Sequence, residues 1–110
     1  MIDILKELKC CFTMISPDKN TQEELNIFYS SENYDGYANE FKSAVKLLSQ
    51  TIEKNDKIAI QCALTRVRIA SLNLSNLYQD IIDDAILINK HDSWPDIPEG
   101  YRLPESYTKK

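Results

Sequence analysis

Between Ile58 and Asn89 the chain contains neither proline nor glycine. Within that stretch Ile60, Val67, Leu74, Ile81 and Ile88 recur every seven residues, and Leu64, Ser71, Tyr78 and Ala85 fill the alternate places. A heptad pattern sustained this long specifies one helix with an apolar seam. The weakest point is Ser71 to Asn76 (SLNLSN), because Ser and Asn are poor residues for a helix interior. The repeat stays in phase through it, so the spacing predicts a continuous helix over about 57–90. Such a helix is about 48 Å long, whereas the helix expected before it is about 30 Å. The surplus has to be covered by other helices of the chain or by a partner.

The preceding segments supply those helices. Ile2, Leu5, Leu8, Phe12 and Ile15 are spaced three or four apart, with Ile4 and Cys11 widening the stripe, which predicts a first helix over 2–15. Ser16-Pro17 ends it, since the residue before proline is pushed out of the α region. Thr21 and Glu24 have capping-box spacing and open a short second helix with Leu25 and Phe28 on one side. Ser30 to Gly36 (SSENYDG) reads as a turn. A third helix over about 35–54 carries Tyr37, Phe41, Ala44, Val45, Leu48 and Ile52, and Asp56 is placed to cap the long helix.

The last twenty residues differ in kind. They hold three of the four prolines, one of the two glycines and the only tryptophan. Prolines at this spacing favour an extended path. Trp94, Ile97, Tyr101, Leu103 and Tyr107 make the segment too apolar for a solvating tail. The expected organisation is therefore an all-α bundle over 1–90, built on an antiparallel hairpin, with an extended arm over 91–110 lying back on it.

The formal charge is −4, unevenly distributed. Residues 18–40 sum to −5, residues 41–79 to +4, and residues 80–105 to −5. The acidic segments oppose nucleic-acid binding and favour a basic protein. No run of 18 apolar residues exists, which leaves no membrane-spanning helix. The three cysteines, Cys10, Cys11 and Cys62, are odd in number and have no metal-site spacing. They point to free, packed thiols and a reducing cytoplasm.

Catalytic and cofactor motifs are missing. The glycines Gly36 and Gly100 stand alone, so there is no phosphate loop. His91 and Cys62 lie twenty-nine residues apart on one predicted helix, about 43 Å, too far to form a nucleophilic pair. Asp80, Asp83 and Asp84 share a helix face and, with Glu23 and Glu24, faintly resemble the acidic elements of all-α nucleotide pyrophosphohydrolases. The third acid of the Glu-Glu-x-x-Glu element is absent, and a solvated face is the simpler account.

What remains is a surface type. Glu32, Tyr34, Asp35 and Tyr37 cluster before the third helix, and Asp96, Glu99 and Tyr101 repeat the mixture in the arm. Aromatic groups supply contact area, and acids steer a cationic partner. In size, acidity and helical content the chain resembles the immunity proteins with which bacteria neutralise toxins, often nucleases. That resemblance implies a non-enzymatic cytoplasmic inhibitor that needs no cofactor and occludes a basic toxin. The alternatives are a homodimeric adaptor pairing through the heptad face of 60–88, and a metal-dependent phosphohydrolase.

Overall fold

The computed structural model describes residues 2–108, and all its regular elements are helices. In chain order they are α1 (Ile2–Ile15), α2 (Lys19–Glu24), α3 (Ile27–Ser30), a 3-10 turn (Ser31–Asn33), α4 (Tyr34–Glu53), α5 (Lys57–Asn89) and α6 (Glu105–Thr108). The all-α expectation holds, and the shape is extended: the radius of gyration is 19.5 Å, against roughly 13 Å for a compact domain of this length.

α5 runs unbroken through Ser71 to Asn76. Its start is capped by Asp56, whose carboxylate accepts the Ala59 N–H at 3.1 Å. Asn55, at φ 53°, takes the left-handed conformation that ends α4 and reverses the chain in three residues. α4 therefore packs antiparallel along the first part of α5. The first heptad row is as expected: Ile60, Val67, Leu74 and Ile81 are half-buried and Ile88 is buried. The second row is not. Ala63, Ala70, Leu77 and Asp84 are buried, whereas Leu64, Ser71, Tyr78 and Ala85 are exposed. Steps of three and of four both satisfy a heptad seam. The small side chains of Ala63 and Ala70 let α4 come close, and this selects the step of three.

The molecule divides along its length. In the stalk, where α4 meets the first half of α5, the buried side chains are Ala44, Thr51, Ala63 and Ala70, none larger than threonine. At the other end, the base, α1, α2 and α3 gather round the second half of α5. Phe12, Leu25, Ile27 and Ile88 form one cluster there, with Leu8, Phe28, Ile81 and Leu87 against it. Leu5, Tyr34 and Leu77 form the other, joined by Tyr37, Ala38 and Leu74. The helices at the N-terminus thus cover the length of α5 that α4 cannot reach.

Several local expectations are corrected. The second helix is capped by Asp18 rather than Thr21, the Thr21 N–H donating to the Asp18 carboxylate at 2.7 Å. It stops at Glu24, and Leu25 and Phe28 lie beyond its end. Ser30 to Gly36 is no open turn: a single 3-10 turn leads into α4, which contains Gly36. In α1, Ile4, Cys11 and Ile15 are exposed, so the buried stripe is narrower than expected; the side chain of Ile2 lies outside the described residues. The three thiols are free but exposed, not packed.

The arm does not lie back on the bundle. Every residue from 92 to 107 is exposed. One anchor holds its root: the Trp94 indole N–H donates to the Ile88 carbonyl at 2.8 Å, with the ring 42% exposed. Beyond it, a turn closes from the Tyr101 N–H to the Pro98 carbonyl, with Gly100 at φ 76° as a type II turn requires.

This division sets the mutational response. Leu77→Ala removes a core side chain from the base and should cost about 2–5 kcal/mol, whereas Ile97→Ala in the arm should change stability by less than about 0.5 kcal/mol. Urea unfolding followed by circular dichroism measures both.

Candidate functional site

The most deeply buried ionisable group in the base is Asp84, at 1% exposure. Its carboxylate accepts the Asn26 N–H at 2.8 Å and the Ile27 N–H at 2.8 Å, the donors at the start of α3. Asn26 makes no side-chain cap of its own, so a residue nearly sixty positions away caps this helix. One turn earlier on α5, Asp80 accepts the Ser30 hydroxyl at the other end of α3. Asp83 faces outward and accepts from Gln79 at 3.0 Å. The aspartates read as an acidic cluster therefore clamp α3 to α5 through two of their members. Glu23 and Glu24 are exposed on α2. Among the described residues, no three histidine, cysteine or acidic side chains are grouped to hold a metal ion.

His91 sits just past the end of α5. The Ser93 N–H donates to its Nδ1, which places the ring proton on Nε2, 3.4 Å from the Asp18 carboxylate. Asp18 thus joins the start of α2 to the end of α5. The three cysteines are on other surfaces, Cys10 and Cys11 on α1 and Cys62 in the stalk.

The expected binding residues fall into two groups. Tyr34 is buried at 6% exposure, and its ring packs in the core beside Leu5 and Leu77. Tyr37 is half-buried against the same cluster. Glu32 and Asp35 are exposed beside them. In the arm, Asp96, Glu99 and Tyr101 are all exposed. The loop acids and the arm both belong to the base, since Ser30 bonds Asp80 and the arm leaves α5 only ten residues, about 15 Å, later. The charge pattern thus becomes a spatial one: the segments that sum to −5 form the base and its arm, and the segment that sums to +4 forms the stalk.

The flanks of the stalk differ. One bears an open groove of about 660 Å³ between α4 and α5, lined by Glu40, Ser43, Lys46 and Gln50 on one side and Arg66 and Ile69 on the other. The other flank starts in the base at Tyr34 and Tyr78, whose rings meet edge to face at 6.4 Å, and continues onto the stalk. Steps of seven and four carry that flank along α4 through Phe41, Val45 and Ile52, and along α5 through Leu64, Ser71 and Ile82. Phe41, Val45, Ile52, Leu64, Tyr78 and Ile82 are 37–57% exposed. Sequence reasoning missed this surface, having assigned Leu64 and Tyr78 to the seam and Phe41, Val45 and Ile52 to the apolar stripe of the third helix, all of which are exposed. The available signal was that α5 is apolar on more than one side.

No protein-family model matches this chain, and neither a curated protein nor a solved structure does. No helix among the described residues is long and apolar enough to cross a membrane.

Asp84 and Asp18 respond oppositely to pH. Burial pushes the Asp84 carboxyl up, against the pull of its bonds to Asn26 and Ile27, and Asp80 and Asp83 add to the rise. The Thr21 bonds, helped by His91, hold Asp18 below the usual value. A raised carboxyl binds its proton more tightly in the folded chain, so its contribution falls as pH rises from the ordinary aspartate value through the raised one. The Asp18 contribution has the other sign, being present above the ordinary value and lost in acid. The stability difference between wild type and Asp84→Asn should therefore shrink as the pH rises through that window and then level off. Denaturant midpoints between pH 3 and pH 7 measure it.

Proposed function

We propose that the chain is a cytoplasmic protein-binding inhibitor, not an enzyme, and that the acidic base with its arm docks against a basic protein. One observation carries this reading: the arm exposes Ile97 at 79%, Tyr101 at 55%, Leu103 at 62% and Tyr107 at 78%. Large apolar side chains displayed together on one exposed segment, here a turn followed by the short helix α6, mark an interaction surface. Asp96 and Glu99 lie among them, and Glu32 and Asp35 stand exposed on the same end of the molecule. Acids of one sign raise the encounter rate with a cationic surface, and the aromatic groups hold the complex once formed.

The nearest functional parallel is an immunity protein that covers the active surface of a toxin, a nuclease being the fitting kind because its substrate groove is basic. Trp94 anchors the root of the arm to α5, which limits the chain entropy lost when the arm is ordered. Of the expected contact residues, Glu32, Asp35, Asp96, Glu99 and Tyr101 are accessible for this task, and Tyr34 and Tyr37 support the loop from behind.

The test uses a basic toxin nuclease, drawn where one exists from a reading frame adjoining the one that encodes this chain. Its association rate should fall steeply as salt rises, because exposed charges are screened within about 10 Å at 0.1 M. Asp96→Lys with Glu99→Lys should slow association roughly tenfold at low salt with an unchanged helical spectrum. Tyr101→Ala should instead speed dissociation. Association indifferent to salt and to both charge reversals contradicts the proposal.

A further inference from the structure

The apolar flank differs in chemistry from the acidic arm and calls for its own explanation. The seam between α4 and α5 buries nothing larger than threonine within the stalk, while Phe41, Val45, Ile52 and Leu64 stand 37–57% exposed on one side of it. The larger apolar side chains of the seam, Leu47, Leu48, Ile60 and Val67, are only half-buried, so the pair buries little apolar surface for its length. The whole chain exposes 8852 Å², against roughly 6,200 Å² for a compact protein of its mass. The surplus of roughly 2,600 Å², which the exposed arm shares with the flank, exceeds the roughly 800 Å² that each partner buries in a standard interface.

We propose that this flank is the interface of a symmetric homodimer, with the second copy antiparallel so that the basic stalk of each covers the acidic base of the other. Charge selects this arrangement from three. A parallel dimer sets stalk on stalk and base on base, like charge on like. A four-helix bundle of the two stalk tips alone sets +4 on +4. Full antiparallel overlap sets a segment of +4 against segments of −5, twice, by symmetry. The flank also has the shape for it. Ser71 and Ser75 lie midway between Leu64 and Ile82, and a shallow groove over the two serines is bounded by Leu74, Tyr78 and Ile82. A two-fold axis there lets the copies of α5 approach closely, with Leu64 of one reaching the neighbourhood of Ile82 of the other. The heptad row from Ile60 to Ile88, expected to be free for pairing, is occupied within the chain, so the dimer uses a different face of the same helix.

Sedimentation of the full chain at micromolar concentration should give twice the 12.7 kDa of one copy. Leu64→Glu and, separately, Ile82→Glu place a charge on the flank without touching the buried residues. Each should raise the dissociation constant of the dimer by roughly 100-fold while leaving the helical spectrum intact. Orientation is read from oxidative cross-linking between copies, with Cys10, Cys11 and Cys62 changed to alanine. Antiparallel overlap about Ser71 and Ser75 brings position 64 of one copy beside position 82 of the other, so Leu64→Cys combined with Ile82→Cys should cross-link and Leu64→Cys alone should not, whereas the other two arrangements set the two copies of position 64 level with each other. A monomeric wild type, a dimer unaffected by both charge substitutions, or cross-linking of Leu64→Cys alone overturns the proposal.

Discussion

The last third of α5 projects beyond the start of α4, and the structure depends on how that length is covered. A helix of 33 residues packed against one of 20 leaves about 20 Å without a partner. The first thirty-three residues wrap that length, and Asp84 fastens them. Its carboxylate takes the two N–H groups that open α3, which breaks the chain between α2 and α3 and turns Leu25 and Ile27 inward. With Asp80 on Ser30 and Asp18 beside His91, polar contacts secure α3 at both ends and tie α2 to the end of α5. A buried carboxylate is costly unless its hydrogen bonds are made, and here donors that otherwise have no partner offset part of the cost, burial still raising the Asp84 carboxyl. Such an arrangement is less a gain in stability than a means of specifying one packing.

The two ends of the molecule consequently differ in character. The base has a core of phenylalanine, leucine and isoleucine closed by α1, α2 and α3. The stalk buries alanine and threonine, with Leu47, Leu48, Ile60 and Val67 half-buried along the seam, and has a wide apolar flank. Charge follows the same division, acidic in the base and basic in the stalk. Two surfaces of different chemistry result: an acidic, aromatic one around the arm, suited to a cationic protein, and an apolar one on the stalk, suited to a second copy. The two share the base: a second copy laid along the flank leaves Asp96, Glu99 and Tyr101 of the arm as the contacts for a cationic protein.

The sequence was informative where one physical signal acted alone. The bounds of α1 follow from a regular stripe and a proline, the reversal at Asn55 and Asp56 from turn and cap chemistry, and the continuity of α5 from the unbroken phase of its repeat. It was misleading where two choices satisfied the same local rule. Spacing could not separate Ala63 and Ala70 from Leu64 and Ser71 as the second row, because the choice rests on how closely α4 approaches. Asp84 looked like one of three solvated acids, since nothing local shows that amides nearly sixty residues away need an acceptor. The arm looked like cover for the bundle because its apolar residues needed a place. The base is already closed by α1, α2 and α3, and the arm is held at its root by the Trp94 bond to Ile88. Of the candidate contacts, the acids were legible because charge sits on the surface by default, whereas Tyr34 and Tyr37 were ambiguous, a tyrosine serving equally as core or contact.

The central claim is that Asp84 locks the N-terminal helices to α5 as one cooperative base. Residue-resolved amide hydrogen exchange under native conditions tests it most directly. The account predicts that the Asn26 and Ile27 amides exchange as slowly as those of α5 from Leu77 to Ile88, because all open only when the base unfolds. Exchange at Asn26 and Ile27 as fast as in the exposed arm, with α5 still protected, would contradict it.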